Sequence, residues 1–143
     1  MRLRLFVPLA VGLSLGASAP DETQQELDRL QGTWNLESVE TKGKQVPKDE
    51  IMRNTLVIKG DEFIRMSWEK KQPAATFKID PTKRPKTIDQ MFKDNDGRLV
   101  VRPGIYELDG DTLRLAFANE RPKELKTTSD SALVITTYRR EKR

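Results

Sequence analysis

The chain has 143 residues, with 26 Lys and Arg side chains against 22 Asp and Glu (formal charge +4), and it contains neither cysteine nor histidine. These absences exclude Ser–His–Asp and Cys–His nucleophiles, disulfides, and zinc, copper or haem sites ligated by His or Cys. An enzyme built on this chain would have to use carboxylates, Lys, Tyr or Ser. We therefore predict a protein that is not an enzyme and carries no cofactor and no metal.

The segment 1–19 has the layout of a secretory signal peptide. MRLR supplies two cations, the apolar run LFVPLAVGLSL follows, and small residues lead to Ala19. The run is shorter than the roughly 20 apolar residues of a transmembrane helix. We predict cleavage after Ala19, with Ser18 as the alternative, and an extracytoplasmic location, in the periplasm or the medium. Cleavage would remove Arg2 and Arg4 and lower the formal charge to +2, which argues against a nucleic-acid partner.

Residues 20–143 have the length of one domain, and the pattern predicts that it begins with a short capping helix. In PDETQQELDRLQ, Asp21 is the expected N-cap, Gln24 follows three residues later, and Leu27 and Leu30 share one face. Two apolar residues cannot anchor an independent helix. We expect it to cover one end of a larger structure.

From Gly32 onward the apolar residues recur with a period of two, which is typical of strands. About eight short strands follow at roughly ten-residue spacing, a pattern that favours an antiparallel meander, either a barrel or a sandwich. We favour an eight-stranded antiparallel barrel because closure removes exposed sheet edges. The expected strands lie in TWNLESVE, TLVIK, EFIRMSWE, AATFKID, TIDQMF, GIYEL, TLRLAFA and ALVITTYRR.

The alternation also predicts which side chains face the barrel interior. In EFIRMSWE it assigns Ile64, Met66 and Trp68 to the buried face and Arg65 to the wet face. An eight-stranded barrel is just wide enough to be filled by its own side chains or to hold one small ligand, and both interpretations stay open. The expected inward set is Trp34, Leu36, Met66, Trp68, Phe77, Ile79, Leu115 and Phe117; within it, the candidate ligand-binding residues are Trp34, Met66, Trp68, Phe77 and Phe117.

Three blocks, LQGTWNLESVE, DPTKRPKTID and GIYELDGDTLRLAFA, together resemble an uncharacterised lipocalin-like domain family expanded in planctomycete bacteria. The resemblance covers about Leu27 to Arg140. It implies an eight-stranded calycin-type barrel in which Gly32-Thr33-Trp34 is the Gly-x-Trp element, with Trp34 sealing the closed end beneath the short helix. Leu125 and Ala116 depart from the family pattern. The family has no established activity, so the resemblance implies a fold and leaves the function open.

The connection DPTKRPK contains a candidate anion-contacting loop formed by Lys83, Arg84 and Lys86. The alternative is a rigid link between two strands, because Pro81 and Pro85 fix φ and donate no backbone hydrogen bond. The acidic turns around Gly97 and Gly110 lack the ligand spacing of a calcium loop. The basic C-terminus, YRREKR, is typical of a solvated chain end.

We predict an exported lipocalin-like barrel that binds a small apolar or amphipathic ligand. The alternative is an envelope interaction or structural module with a filled barrel and no small-molecule ligand. Contact with a membrane surface is the less favoured expectation. A glycosidase-type enzyme would need two carboxylates facing each other across a cleft, and the sequence indicates no such pair.

Overall fold

The structure is a computed structural model that describes residues 21–51, 53–67 and 70–142. The predicted signal peptide and Trp68 lie outside the described residues. The described ranges contain one α-helix, α1 (Glu22–Leu30), one 3₁₀ turn (Lys48–Glu50) and ten strands. The strands are β1 (Gly32–Thr41), β2 (Lys44–Gln45), β3 (Asn54–Lys59), β4 (Glu62–Ser67), β5 (Lys70–Lys71), β6 (Ala75–Asp80), β7 (Lys86–Lys93), β8 (Leu99–Asp109), β9 (Thr112–Phe117) and β10 (Val134–Arg140).

Eight of these strands form a closed, up-and-down antiparallel barrel, which confirms the predicted mainly-β barrel. The order around the barrel is β1, β3, β4, β6, β7, β8, β9 and β10. The barrel closes because β10 pairs with β1 along a register that runs from Trp34↔Arg140 to Thr41↔Val134, with a bulge between Leu36 and Ser38. The two-residue strand β2 pairs antiparallel with the end of β1, and the two-residue strand β5 pairs antiparallel with the end of β4.

The two ends of the barrel differ. At the end that we call the closed end, tight turns centred on Gly60 and Gly110 join β3 to β4 and β8 to β9, and α1 precedes β1. Both glycines have positive φ, which other residues adopt at a cost. At the opposite end, the mouth, lie the longer connections from β1 to β3, β4 to β6, β7 to β8 and β9 to β10.

The closed end is sealed around the fully buried Trp34. Its indole N–H donates to the Leu30 carbonyl at 3.0 Å, and the Arg140 guanidinium lies over its ring, 4.2 Å from the centroid. Arg140 also donates to the carbonyls of Arg29 and Gln31. A cation is favourable at a helix C-terminus, where carbonyl groups lack partners. One arginine therefore ties the last strand to the first strand and to the helix.

The helix itself begins as predicted. The Asp21 side chain accepts a hydrogen bond from the Gln24 backbone N–H at 2.8 Å, which satisfies one of the free donors of the first turn. The predicted last strand includes Arg139 and Arg140; the Arg139 side chain is 58% exposed, as expected of a solvated chain end, whereas Arg140 is held at the closed end. Both lie in β10 and pair with β1, since the alternation of the last strand continues into the basic run.

The half of the barrel next to the closed end is filled by large side chains. The Phe63 ring makes edge contacts with Phe77 and Phe117, at centroid distances of 5.9 and 6.3 Å. Gly104 makes room for the Phe117 ring, because a Cβ there would lie 2.6 Å from that ring. The buried core inside the barrel consists of Leu30, Trp34, Leu56, Ile58, Phe63, Ala75, Phe77, Ile88, Tyr106, Leu113, Leu115 and Tyr138.

The predicted inward orientation is confirmed for six residues and wrong for Met66. The turn at Gly60 aligns Ile58 with Phe63 and Leu56 with Arg65, so Phe63 and Arg65 share the inner face. Met66 pairs with Thr55 on the outer face. The inward-facing side chains of β4 therefore include those of Phe63 and Arg65, and not those of Ile64 and Met66. The confirmed residues are Trp34, Leu36, Phe77, Ile79, Leu115 and Phe117.

We expect Arg140→Gln to lower the free energy of unfolding by about 2–3 kcal/mol, since it removes a cation–π contact and charge-assisted hydrogen bonds to helix carbonyls. The matched control is Arg139→Gln, one residue earlier on β10. Its side chain is 58% exposed and pairs with Glu37, so a much smaller loss is expected. Urea unfolding followed by circular dichroism measures both. Equal losses for the two variants would contradict the assigned role of Arg140.

Candidate functional site

The barrel wall opens between β4 and β6. Among the described residues these strands share two pairs, Glu62↔Thr76 and Phe63↔Ala75, whereas eight pairs join β7 to β8. Toward the mouth, β4 pairs with β5 instead, and Pro73, just before β6, has no N–H to donate. The separation of the two strands leaves an open cleft of about 780 Å³, which we call the mouth cleft.

The mouth cleft has an aromatic floor and wall. Phe63 lines it and is 2% exposed, and its contacts with Phe77 and Phe117 support it from below. Phe92, on the inner face of β7, forms part of the wall. The remaining uncharged lining residues are Asn54, Ser67, Gln72, Pro73, Ala74, Ala75 and Gln90. The cleft thus combines an apolar base with polar groups nearer the solvent.

Three cations, Arg65, Lys93 and Arg102, line the mouth cleft, and no described carboxylate does. Arg102 faces inward because it pairs with Gln90, which in turn pairs with Phe77 of the core. Its guanidinium lies 5.4 Å from the centroid of the Phe92 ring. None of the three cations forms a salt bridge with a described acid. The mouth cleft is therefore positively charged.

Arg65 interacts with the buried Tyr138 hydroxyl and also lines the mouth cleft. Burial raises the pKa of the Tyr138 hydroxyl, and the Arg65 charge opposes this rise. Arg65 is thus close to Tyr138 of β10, although the residue itself is exposed. Sequence alternation had assigned this side chain to the wet outer face of β4.

The Asn54 side chain adds an unsatisfied group. Its Oδ1 atom is buried and accepts no hydrogen bond, alone among the buried side-chain oxygens and nitrogens of the described residues. A buried acceptor without a donor costs about 1–3 kcal/mol. A hydrogen-bond donor of a bound molecule, or a water, would relieve this cost. Asn54 therefore marks a polar position inside the mouth cleft.

The predicted ligand-binding residues do not line the mouth cleft. Trp34 and Phe77 belong to the filled core, at 0 and 3% exposure. Phe117 supports the Phe63 floor, and Met66 lies on the outer face. Trp68 lies outside the described residues. The lining residues that sequence reasoning missed are Asn54, Phe63, Arg65, Gln90, Phe92 and Arg102.

The candidate anion-contacting loop is held together mainly by its own contacts. The Arg84 guanidinium donates to the carbonyls of Pro81 and Lys83, and Asp80 accepts hydrogen bonds from the backbone and hydroxyl of Thr82. These hydrogen bonds keep the pKa of the Asp80 carboxyl below its usual value. Lys83 and Arg84 are exposed. Such a loop fits the rigid-link alternative.

Lys86 is withdrawn from this loop into the closed end. Its ammonium lies 2.7 Å from the carboxylate of Glu26, a residue of α1 that is 3% exposed. Arg29 lies 3.3 Å from the same carboxylate, and the Tyr106 hydroxyl donates to it at 3.3 Å. A buried carboxylate needs such partners. The structure thus separates Lys86 from the exposed Lys83 and Arg84, because Lys86 links the helix to the barrel.

No protein-family model, no curated protein and no solved structure matches this chain. Across the described ranges, no group of three or more acidic side chains is arranged to hold a metal ion. The helix found there is too short and too polar to cross a membrane.

Both tyrosines of the chain are buried at 1% exposure. Burial raises the pKa of the Tyr106 phenol far above its usual range, and the Glu26 charge raises it further. In the unfolded chain a tyrosine ionises near pH 10. The raised pKa therefore stabilises the fold fully below about pH 10, and this stabilisation is lost as the pH rises above that value.

We expect the free energy of unfolding to fall above about pH 10 by about 1.4 kcal/mol per pH unit for each protonated buried tyrosine. Tyr106→Phe should remove the contribution of one tyrosine to this fall. The contribution of the lysines, which titrate in the same pH range, should stay unchanged. Urea unfolding at several alkaline pH values, with tyrosinate absorbance as a second probe, measures this. Tyrosinate absorbance that appears in the still-folded protein near pH 10 would contradict it.

Proposed function

We propose that this protein is an exported, lipocalin-like binder of one small apolar or amphipathic ligand, and a member of the uncharacterised domain family that its sequence resembles. The closed eight-stranded meander supports this classification. So does Trp34, which lies beneath α1 at the closed end, as the resemblance implies. The proposed export rests on the signal-peptide pattern of the segment 1–19.

The observation that carries the binding proposal is the mouth cleft with its aromatic base. Its volume of about 780 Å³ falls within the roughly 300–1,000 Å³ of small-molecule sites, which are commonly apolar with a few polar groups. Phe63 and Phe92 supply the apolar surface. If stability were the only requirement, larger side chains that filled this cleft would make the barrel more stable.

The ligand would bind at the mouth and not deep in the barrel. Trp34, Tyr106 and Tyr138 fill the interior near the closed end, each at 1% exposure or less. Phe63 belongs to this packed core and also lines the cleft. A flat or short apolar group therefore fits the space better than a long chain that would need the whole barrel.

We expect the neutral fluorophore N-phenyl-1-naphthylamine to bind with increased emission and Phe92→Ala to weaken its binding roughly tenfold, because the variant removes part of the apolar wall. Met91→Ala is the matched control, since Met91 neighbours Phe92 and pairs with Thr76 and Val101 on the outer face. Fluorescence titration measures both affinities. Equal weakening by the two substitutions, or no binding by the parent protein, would contradict a site at the mouth.

The alternative function is a surface interaction module with a filled barrel. One observation favours it: Leu99 and Val101 lie on the same face of β8 and are 67 and 54% exposed, and adjoining exposed apolar residues can mark an interaction site. Under this alternative, Val101→Ser would weaken a protein or polymer contact. It would leave the affinity for the neutral fluorophore unchanged.

A further inference from the structure

We propose that the ligand of the mouth cleft is an amphipathic anion, with an oxyanion head such as a carboxylate or sulfonate on a compact apolar body. This inference rests on the proposed function and adds the charge of the ligand to it.

Six cations of the described residues form salt bridges, and all six lie outside the mouth cleft. Lys86 pairs with Glu26, Arg121 with Asp89, and Arg140 with Asp111. Further pairs are Arg29–Glu26, Arg114–Glu107 and Arg139–Glu37. Arg65 and Arg102 turn inward on their strands and meet no described carboxylate. Other cations of the described residues also lack a salt bridge, so Arg65 and Arg102 are distinguished by facing inward, into a cleft that no described carboxylate lines.

The positions of the two arginines fit a single bound molecule. Arg65 lies on β4 and Arg102 on β8, so they approach the cleft from opposite sides of the opened wall. Arginine presents a planar fork of N–H donors that matches a carboxylate or sulfonate. Because Arg102 lies over the Phe92 ring, a head group bound to it would leave the apolar body against the ring and the Phe63 floor.

The amide side chains of the cleft can complete the head-group contacts. Gln90 pairs with Arg102 across β7 and β8, and its amide carries N–H donors. Asn54 presents an unpartnered acceptor, Oδ1, which an N–H or O–H of the ligand body or a bridging water could satisfy. An anionic head would therefore be held by the two arginines and the Gln90 amide.

A matched pair of fluorophores tests the inference. N-phenyl-1-naphthylamine is neutral, and 8-anilinonaphthalene-1-sulfonate carries the same rings with one added sulfonate. We expect the parent protein to bind the sulfonate about tenfold more tightly than the neutral compound, with a preference that falls as salt screens the arginines. Arg65→Gln and Arg102→Gln should each reduce the preference several-fold, and the double variant should abolish it.

Arg139→Gln is the control for loss of an unrelated surface cation and should keep the full preference. Thermal unfolding of every variant, followed by circular dichroism, checks that the fold persists. Arg102 is exposed, so Arg102→Gln tests the inference even if the substitution at Arg65 destabilises the barrel. Equal affinity for the two fluorophores, or a preference that survives in Arg102→Gln, would overturn the inference and leave the proposed function standing. Failure of both fluorophores to bind would overturn the proposed function itself.

Discussion

The contact of Arg140 with Trp34 and with the end of α1 is the interaction on which the rest of this structure depends. A barrel must join its first and last strands, and here the join is the pairing of β10 with β1. Arg140 stacks on Trp34 at that join and donates to carbonyls at the C-terminus of α1. The salt bridge from Lys86 to Glu26 adds a second link between the helix and the wall.

The sealed end determines where a ligand could bind. Because large side chains fill the barrel up to Phe63, the mouth cleft begins at that ring. The same region is where β4 and β6 stop pairing. The opening therefore combines three features in one place: an exposed part of the apolar core, inward polar side chains, and cations without acidic partners.

Local sequence patterns predicted the barrel and most of its core. Strict alternation around Trp34, Phe77 and Leu115 was enough to assign their faces, because each flanking position is polar or small. The prediction failed on β4, because either face of this strand carries apolar residues. Phe63 lies on one face, and Ile64 and Met66 lie on the other. The tight turn at Gly60 would have decided between them, since a two-residue turn places Ile58 opposite Phe63. Arg65 would then have been assigned to the interior.

Other features could not be read from local patterns because they join distant segments. Arg140, near the end of the chain, stacks on Trp34 in the first strand of the barrel, and Lys86 of β7 pairs with Glu26 of the helix. Nothing near either cation in the sequence indicates a burial partner. The cleft likewise depends on how few residues of β4 and β6 pair, a property of strand divergence and not of residue type.

The most direct test of a barrel that is solid at the sealed end and open only at the mouth is a titration of ¹⁵N-labelled protein with 8-anilinonaphthalene-1-sulfonate, followed by NMR. The side-chain amide signals of Asn54 and Gln90 should shift as the compound binds, and the indole N–H of Trp34 should keep its position. A shift of the Trp34 indole as large as those of the two amides would show that the compound reaches the sealed end, and would contradict this account.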